Sequence, residues 1–390
     1  VAASVSSTKT GSTGGTQAAG EGVVNIFIND NKAIAKAGDA VVIYAPRGNV
    51  TVKAASKIGY TGIVGGLAKS GGHGIGASVS VLVVNNEILA QIGNGVTITA
   101  GQKIHVDADS KETIVAVVVN GAAATEANSG VAVAVSPSVN VIKGSTQAIA
   151  GTGTYTANSM DVTADSTTKI VILSGGAAVS AGKAGVGGSV QVDVFLKKVR
   201  ALIADGTEGT HAVIFAPGGL TVSANSKEDS YLFVIGLGGG RSAAVSGSIA
   251  VVVIDNEVEA KIGNYAKVGS ENSRGDVTVS AKDDMVTVVL AGGAAASTSG
   301  PAVGLANADV IASGSTKAQI GNHVTVYGNN VTVTATSDKK FINVVISGGV
   351  TDGSAAVTGS AAVVVVGDTV KAAIGDNAVI NASGDVNVIA

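Results

Sequence analysis

The chain of 390 residues has no cysteine and no tryptophan, and aromatic residues make up only 3% of it. Without cysteine it can form neither a disulfide framework nor a thiolate metal site. A globular core of this size would use more large apolar side chains than two methionines and five phenylalanines provide. Valine and alanine must therefore fill a narrow interior. Over 390 residues, a narrow interior predicts an elongated molecule.

Charge is also scarce, with 14% charged residues and a formal net charge of -3. Arginine occurs only at Arg47, Arg200, Arg241 and Arg274, and no basic stripe is present. This composition argues against binding to nucleic acid or to an anionic membrane surface. The longest apolar runs, such as 361–366, are far shorter than a membrane span.

What the sequence does contain is a repeat. The phrase Ala-x-Ile-Gly-Asn is clearest at 90–94, 260–264 and 318–322, and each copy precedes a phrase related to Val-Thr-Val-x-Ala. The glycine of the first phrase, replaced by alanine at 204, recurs every 53 to 59 residues, and the central valine of the second every 54 to 60. Two independent markers with one period, near 56 residues, indicate a repeat architecture. The central valines are Val52, Val106, Val162, Val222, Val279, Val333 and Val388.

Each repeat has the pattern of strands joined by tight turns. Val50, Val52 and Ala54 alternate with Thr51 and Lys53, which predicts a strand with one apolar face. Glycine and β-branched residues are too frequent for helices. A unit of this kind buries its apolar face only by stacking on its neighbours. The expected fold is an all-β, right-handed parallel β-helix built from ~56-residue repeats.

The number of coils per repeat is open at this stage. Two coils of about 28 residues fit the strand count best, and three of about 19 are the alternative. Two coils predict roughly 14 rungs and a length of about 65–70 Å. We expect residues 1–390 to form one continuous segment of a longer array, about six and a half repeats, with residues 1–20 irregular, because neither end has the polar cap that solenoids need.

Two further motifs carry a family resemblance. The Gly-Asp-Val-Thr-Val-Ser-Ala phrase at 275–281 resembles those of filamentous-haemagglutinin-like bacterial adhesins. The Ala-x-Ile-Gly phrase and the Ser-Gly-Gly-Ala-Ala stretches at 174–178 and 291–296 are similar to those of the leukotoxin-family filamentous adhesins of anaerobic bacteria. The resemblance covers nearly the whole chain and implies a secreted or surface-attached bacterial filament, built as a β-solenoid, that serves attachment. It supplies no catalytic residues.

No combination of side chains in the sequence predicts a catalytic, cofactor-binding or metal site. His73, His105, His211 and His323 lie in different repeats, without metal-ligand spacing. The glycine runs at 71–74 and 238–240 lack the following Lys-Thr pair and helix of a phosphate loop. No catalytic, cofactor-binding or metal residue is therefore predicted, and no cofactor.

Charged residues cluster at 109–112, 226–229 and 337–340, which we interpret as exposed corners between strands. Carboxylates could hold calcium at such corners. However, the chain lacks the Gly-Gly-x-Gly-x-Asp nonapeptides of calcium-binding solenoids, and solvated charge is the favoured interpretation. The carboxylates concerned are Asp107, Asp109 and Glu112 in one cluster, and Asp283 and Asp284 in another.

Three function classes compete. The favoured one is the structural shaft of an extracellular bacterial filament or adhesin that mediates attachment or cell–cell or matrix contact, without catalysis. One partner would be the chain itself, joined end to end. Lateral bundles would form through polar, salt-sensitive contacts of Lys111, Lys227, Lys282 and Lys339. Surface glycans or proteins would be the other partners.

The alternatives are a polysaccharide-binding or polysaccharide-processing β-helix and an ice-binding solenoid. The first requires clustered acids and aromatic sugar platforms, whereas the acids here are dispersed. The second requires an unbroken threonine ladder, and the outward ladder is broken in three of seven places. That ladder comprises Thr51, His105, Asp161, Thr221, Thr278, Thr332 and Asn387.

Overall fold

The computed structural model describes residues 2–7 and 17–390, and within these ranges it contains β-strands and turns but no helix. Residues 2–7 and 18–20, part of the stretch expected to be irregular, lie in strands. The rest of that stretch, apart from Gln17, lies outside the described residues. The predicted all-β class is confirmed.

The strands form three faces. The first face consists of β1 (Ala2–Ser7), β4 (Val50–Ser70), β7 (Lys103–Ala124), β10 (Ser159–Ser180), β13 (Leu220–Gly240), β16 (Gly275–Ser297), β18 (Thr325–Thr351) and β21 (Val386–Ile389). The second face consists of β2 (Ala18–Ala37), β5 (His73–Ile92), β8 (Val131–Ala150), β11 (Ala184–Ile203), β14 (Ala243–Ile262), β17 (Ala302–Ile320) and β19 (Ala356–Ile374). The short face consists of β3 (Val42–Ala45), β6 (Val96–Ala100), β9 (Gly153–Thr156), β12 (Ala212–Phe215), β15 (Lys267–Val268), β20 (Val379–Ala382) and the first residues of β18.

All pairs between these strands are parallel, and each strand pairs with the equivalent strand of the next repeat. The central valines form one column, since Val52 pairs with Val106, Val106 with Val162, and so on to Val388. The second face contains seven strands in one sheet. The first and short faces join into a sheet of 14 strands because β18 continues through the turn between them. This arrangement is the predicted parallel β-solenoid.

The expected coil count is wrong: one repeat is one coil. Val52 of one coil pairs directly with Val106, a full repeat later. The long strands have about 20 residues or more because the charged clusters, which we expected at corners, continue the strands, as do the glycine-alanine stretches. Seven coils at about 4.8 Å measure about 30 Å along the axis, while a 20-residue strand is about 65 Å long. The molecule is therefore broad across its axis rather than elongated along it.

The interior is widest beside the short face. There Val50 and Ala54 point inward and are buried, whereas Thr51 and Lys53 are exposed, as the alternation predicts. One alanine column, starting at Ala54, crosses six successive coils of the first face. Small side chains in these columns let the three faces meet around one continuous apolar cluster.

Towards the turn between the two long faces, the interior becomes thin. A methyl group added to Gly176 on the first face would approach the Ala134 carbonyl oxygen of the second face to 2.7 Å. The glycine- and alanine-rich stretches of the repeat lie in this half, which explains why the repeat contains so few large side chains there. The described molecule therefore has a cross-section shaped like a wedge.

The anchor phrase ends each strand of the second face and begins the corner to the short face. At Gly151 the glycine avoids a clash, because a methyl group there would overlap the Gly93 carbonyl, whereas the next copy has Ala204 at the same position. The Asn94 side chain accepts a hydrogen bond from the backbone N–H of Thr152 in the next coil, at 3.0 Å. Asn264 accepts one from Asn322 in the same way, at 2.8 Å. The residue after this asparagine has a left-handed conformation, for example Tyr265 with φ of 61°.

Candidate functional site

Polar side chains form a row along the interior, between the cluster beside the short face and a second apolar cluster in the middle of the wedge. The strand period of two residues points them inward from both long faces. On the second face, the row follows one column that contains Asn31, Asn86, Lys197, Asn256 and Asp368, with Gly144 and Gly314 between them. Its members on the first face include Glu112, Thr168, Glu228 and Lys339.

Hydrogen bonds join the first members of this row. Asn31 donates to the Asn86 side-chain oxygen at 2.8 Å. Asn86 in turn donates to Ser110 at 3.0 Å and to Glu112 at 2.9 Å. Both long faces thus contribute to one network.

Lys197 and Glu112 form an ion pair at the centre of the row, and their side chains are at most 2% exposed. Burial by itself would raise the pKa of Glu112, but the Lys197 ammonium and hydrogen bonds from Asn86 and Thr168 hold it below the usual value. Gly144 makes space for the lysine, since a methyl group there would lie 2.8 Å from its ammonium.

Glu228 lies two coils after Glu112 in the same column. Burial raises its pKa to about 7, although Lys197 and a hydrogen bond from Ser230 oppose this change.

The same construction recurs near the other end of the row. The Lys339 ammonium lies 3.3 Å from Asp283 and 2.9 Å from Asp368. Gly314 again leaves the space for the lysine side chain, as Gly144 does for Lys197. Burial raises the pKa of Asp283, against the effect of Lys339. Burial also favours protonation of Asp368, but hydrogen bonds from Ser337 and Lys339 hold its pKa below the usual value.

A separate polar group lies deeper in the thin half of the wedge. Asp193 accepts hydrogen bonds from Asn140 at 2.7 Å and from Gln191 at 2.6 Å. The Asp193 side chain is completely buried, and burial raises its pKa to about 7 despite these two donors. The Gln191 side-chain oxygen has no hydrogen-bond partner among the described residues.

These interior groups include the acids and bases that a catalytic site would use, but they are not accessible to a substrate. Catalysis requires a substrate to come within hydrogen-bonding distance of the acid or base. The carboxylates of Glu112 and Asp283 are 0% exposed and lie between two continuous sheets. Each of these two carboxylates faces a lysine ammonium inside the protein.

The prediction that the charged clusters form exposed corners between strands is wrong. Residues 109–112, 226–229 and 337–340 lie within long strands, and alternate members point inward. Asp107 and Asp109 lie on the outer surface while Glu112 lies inside, and Asp283 and Asp284 are divided in the same way. Of the four lysines expected at corners, Lys111, Lys227 and Lys282 point outward, but Lys339 is buried.

Asp107 makes local contacts that explain its low exposure. Its carboxylate lies 2.8 Å from the Lys53 ammonium and accepts a hydrogen bond from Thr163. Burial opposes ionisation, but these two partners hold its pKa below the usual value. No group of three or more possible metal ligands occurs among the described residues.

The four histidines are not brought together. His73 begins β5, His105 lies on the outer surface of β7 beside Thr163, and His211 contacts the Thr207 carbonyl in a loop. His323 stacks on Tyr265 at the corner after the anchor phrase, with ring centroids 4.8 Å apart. Of the glycine runs, 71–72 form a turn between the long faces, and 238–240 end β13.

The outer surface of the second face is divided into two halves. Beside the short face it carries charged pairs, such as Arg200 with Glu257 and Glu259. Towards the thin edge it carries mainly valine and isoleucine, including Val190 at 42% and Ile249 at 43% exposure. We call the second region, which on β8 comprises the outward residues between Val131 and Val141, the apolar half.

No protein-family model, curated protein or solved structure matches the chain. No helix able to cross a membrane is found in the described part of the chain. The fold and its surfaces therefore carry the functional argument, together with the resemblance of the repeat phrases.

Proposed function

We propose that this chain is part of the structural shaft of an extracellular bacterial filament or adhesin that mediates attachment or contact with cells or matrix, without catalysis. The observation that carries the proposal is the continuous register from coil to coil on both long faces, with one shift between Gly275 and Val277 at the start of β16. A solenoid distributes load along such a register because every coil is hydrogen-bonded to its neighbours.

The corners support the same function. Side chains of Asn94, Asn264 and Asn322 each bond to the backbone of the following coil. These bonds add to the sheet hydrogen bonds at the point where the chain changes direction. The bacterial and extracellular parts of the proposal rest on the resemblance of the repeat phrases to filamentous adhesins.

The polysaccharide-processing alternative has less support. Outer-surface carboxylates are paired with lysines, as Asp107 is with Lys53 and Asp284 with Lys282 at 2.6 Å. The ice-binding alternative would need a repeated threonine surface, and the register places His105 and Asp161 in the threonine column.

Electron microscopy of producing cells labelled with antibodies against this chain tests the proposal. We expect label on surface fibres with a width of about 65 Å, the length of one long strand, and an axial spacing of about 4.8 Å. Label confined to the cell interior would contradict the proposal. So would glycan degradation by the purified chain that a single carboxylate substitution abolishes.

A further inference from the structure

In the apolar half, the usual distribution of side chains is inverted. Along β8, the inward residues are small or polar, including Ala134, Ser136, Ser138 and Asn140. The outward residues are Val131, Val133, Val135, Pro137, Val139 and Val141. Solvent-exposed sheet faces normally carry the polar residues of the alternation. The outward side is therefore the one expected to be covered in the working protein.

The inversion continues from coil to coil. The column of Val139 contains Val81, Val192, Val251 and Val363, with Asp309 as its one polar member. Five such columns across seven strands cover about 30 Å by about 30 Å, or on the order of 900 Å². Monomeric proteins rarely expose apolar patches of this size, and a standard protein interface buries about 800 Å² per partner.

The surface also has relief. A groove of about 680 Å³ crosses β8, β11, β14, β17 and β19 at one register. Its floor includes Gly188, Gly247 and Gly359, which belong to one column together with Val135 and Leu305. The column of Val192, Val251 and Val363 runs parallel to this groove, four residues further along each strand. Groove and ridge therefore have the same axial spacing.

We propose that the apolar half of the second face binds the same surface of a second copy of this chain. A twofold axis parallel to the solenoid axis, over the column of Val190 and Ile249, would place Gly188 opposite Val192 and Gly247 opposite Val251. Ridge valines would then fill the groove at its glycine positions in both copies, and Leu305 would face Asp309, with the sheets about 10 Å apart as in other face-to-face packings. The two solenoids would point in the same direction.

A second copy fits better than a lipid surface. The area of the apolar half, on the order of 900 Å², is close to the area of about 800 Å² that one partner contributes to a standard protein interface. The charged half of the same face, with Arg200, Glu257 and Glu259, would remain in solvent beside the contact. Because the contact is apolar, added salt should preserve or strengthen it, in contrast to the polar bundling that the lysines predict.

Sedimentation of the full 390-residue chain tests the pairing. Val139→Glu combined with Ile249→Glu adds two charges inside the apolar half. Gln147→Glu combined with Gln319→Glu adds the same two charges outside it, on outward positions of β8 and β17. We expect dimers or larger assemblies of the wild type and control at high salt, and at least a tenfold weaker association of the first variant. All three proteins should have the same β-sheet circular dichroism.

Cross-linking gives a second test that does not depend on charge. The chain has no cysteine, so single cysteines report specific positions. Val190→Cys lies next to the proposed axis and should be joined to its counterpart by a short bismaleimide. Lys198→Cys, eight residues along the same strand, lies about 26 Å from the axis and should not.

Three results would overturn the proposal: a monomeric wild type at high concentration and high salt, equal cross-linking of the two cysteines, or equal loss of association in both charge variants. Binding to phosphatidylcholine vesicles through Val139 and Ile249, without self-association, would assign the surface to lipid instead. These measurements use the purified chain, so their failure would leave the filament proposal to be decided by the labelling of cells.

Discussion

Replacing Asp193 by asparagine should stabilise the protein at alkaline pH. Asp193 is completely buried in the thin half of the wedge, and its carboxylate contacts only the amide donors of Asn140 and Gln191 among the described side chains. Asparagine has the same shape and carries no charge. Its amide can donate to the Gln191 side-chain oxygen after a flip of the Gln191 amide. The flip replaces one unpartnered Gln191 atom, the oxygen, by another, the nitrogen.

The size of the effect follows from the pKa of Asp193, about 7 in the folded protein against an ordinary value of 3.8. Between these two values, the folded state binds a proton that the unfolded state has lost, so the free energy of unfolding falls as the pH rises. One pKa unit corresponds to about 1.4 kcal/mol, so the loss is about 4 kcal/mol and is complete above about pH 7. The asparagine variant does not suffer this loss.

Guanidinium unfolding of both proteins between about pH 4 and about pH 8 measures the difference. The contribution of Glu228 is common to both and cancels. We expect the variant to gain about 4 kcal/mol over the wild type between these limits. Asp338→Asn, which removes a charge from the outer surface, is the matched control and should show no such gain. A pH-independent difference for Asp193→Asn would refute the assignment of Asp193 as a buried proton-binding group.

Two other substitutions test the interior row and the corners. Lys197→Met should destabilise the protein by about 3–5 kcal/mol because it leaves Glu112 buried without its cation, whereas Lys198→Met, at a side chain 40% exposed, should cost less than about 1 kcal/mol; equal losses in denaturant unfolding would argue against a buried pair. Gly151→Ala should lower stability by about 1–3 kcal/mol through its overlap with the preceding coil. Gly48→Ala, where nothing lies within 4 Å of the new methyl group, should not, and thermal unfolding of the two variants should separate them.

The sequence was sufficient to predict the parallel stack but not the size of its coil. The central valines and the alternation around Val52 required only the repeat period and the strand period, and both proved correct. The coil count depended on where strands end. Charged residues such as those at 109–112 are typical of corners, yet here the strand continues through them because alternate members are neutralised inside.

The inward direction of Glu112 could be predicted by counting residues in twos along its strand. Counting in twos from Val106 reaches Ala108, Ser110 and Glu112, which predicts an inward Glu112 if the strand does not end. Its partner was not predictable in this way. Lys197 lies 85 residues away on the opposite face, and which coil stands opposite which depends on how the two faces are offset along the axis.

The interior row distinguishes one axial offset of the two long faces from the others. The apolar columns are nearly the same in every coil, as the alanine column from Ala54 to Ala335 illustrates, so they favour stacking without distinguishing one coil from the next. The polar row differs from coil to coil. A displacement of the second face by one coil would move Lys197 away from Glu112 and leave both charges without their partner, at a cost of several kcal/mol. We infer that the row fixes the alignment of the two faces, and that Gly314 of the second face is part of this device because it leaves the space that Lys339 of the first face occupies.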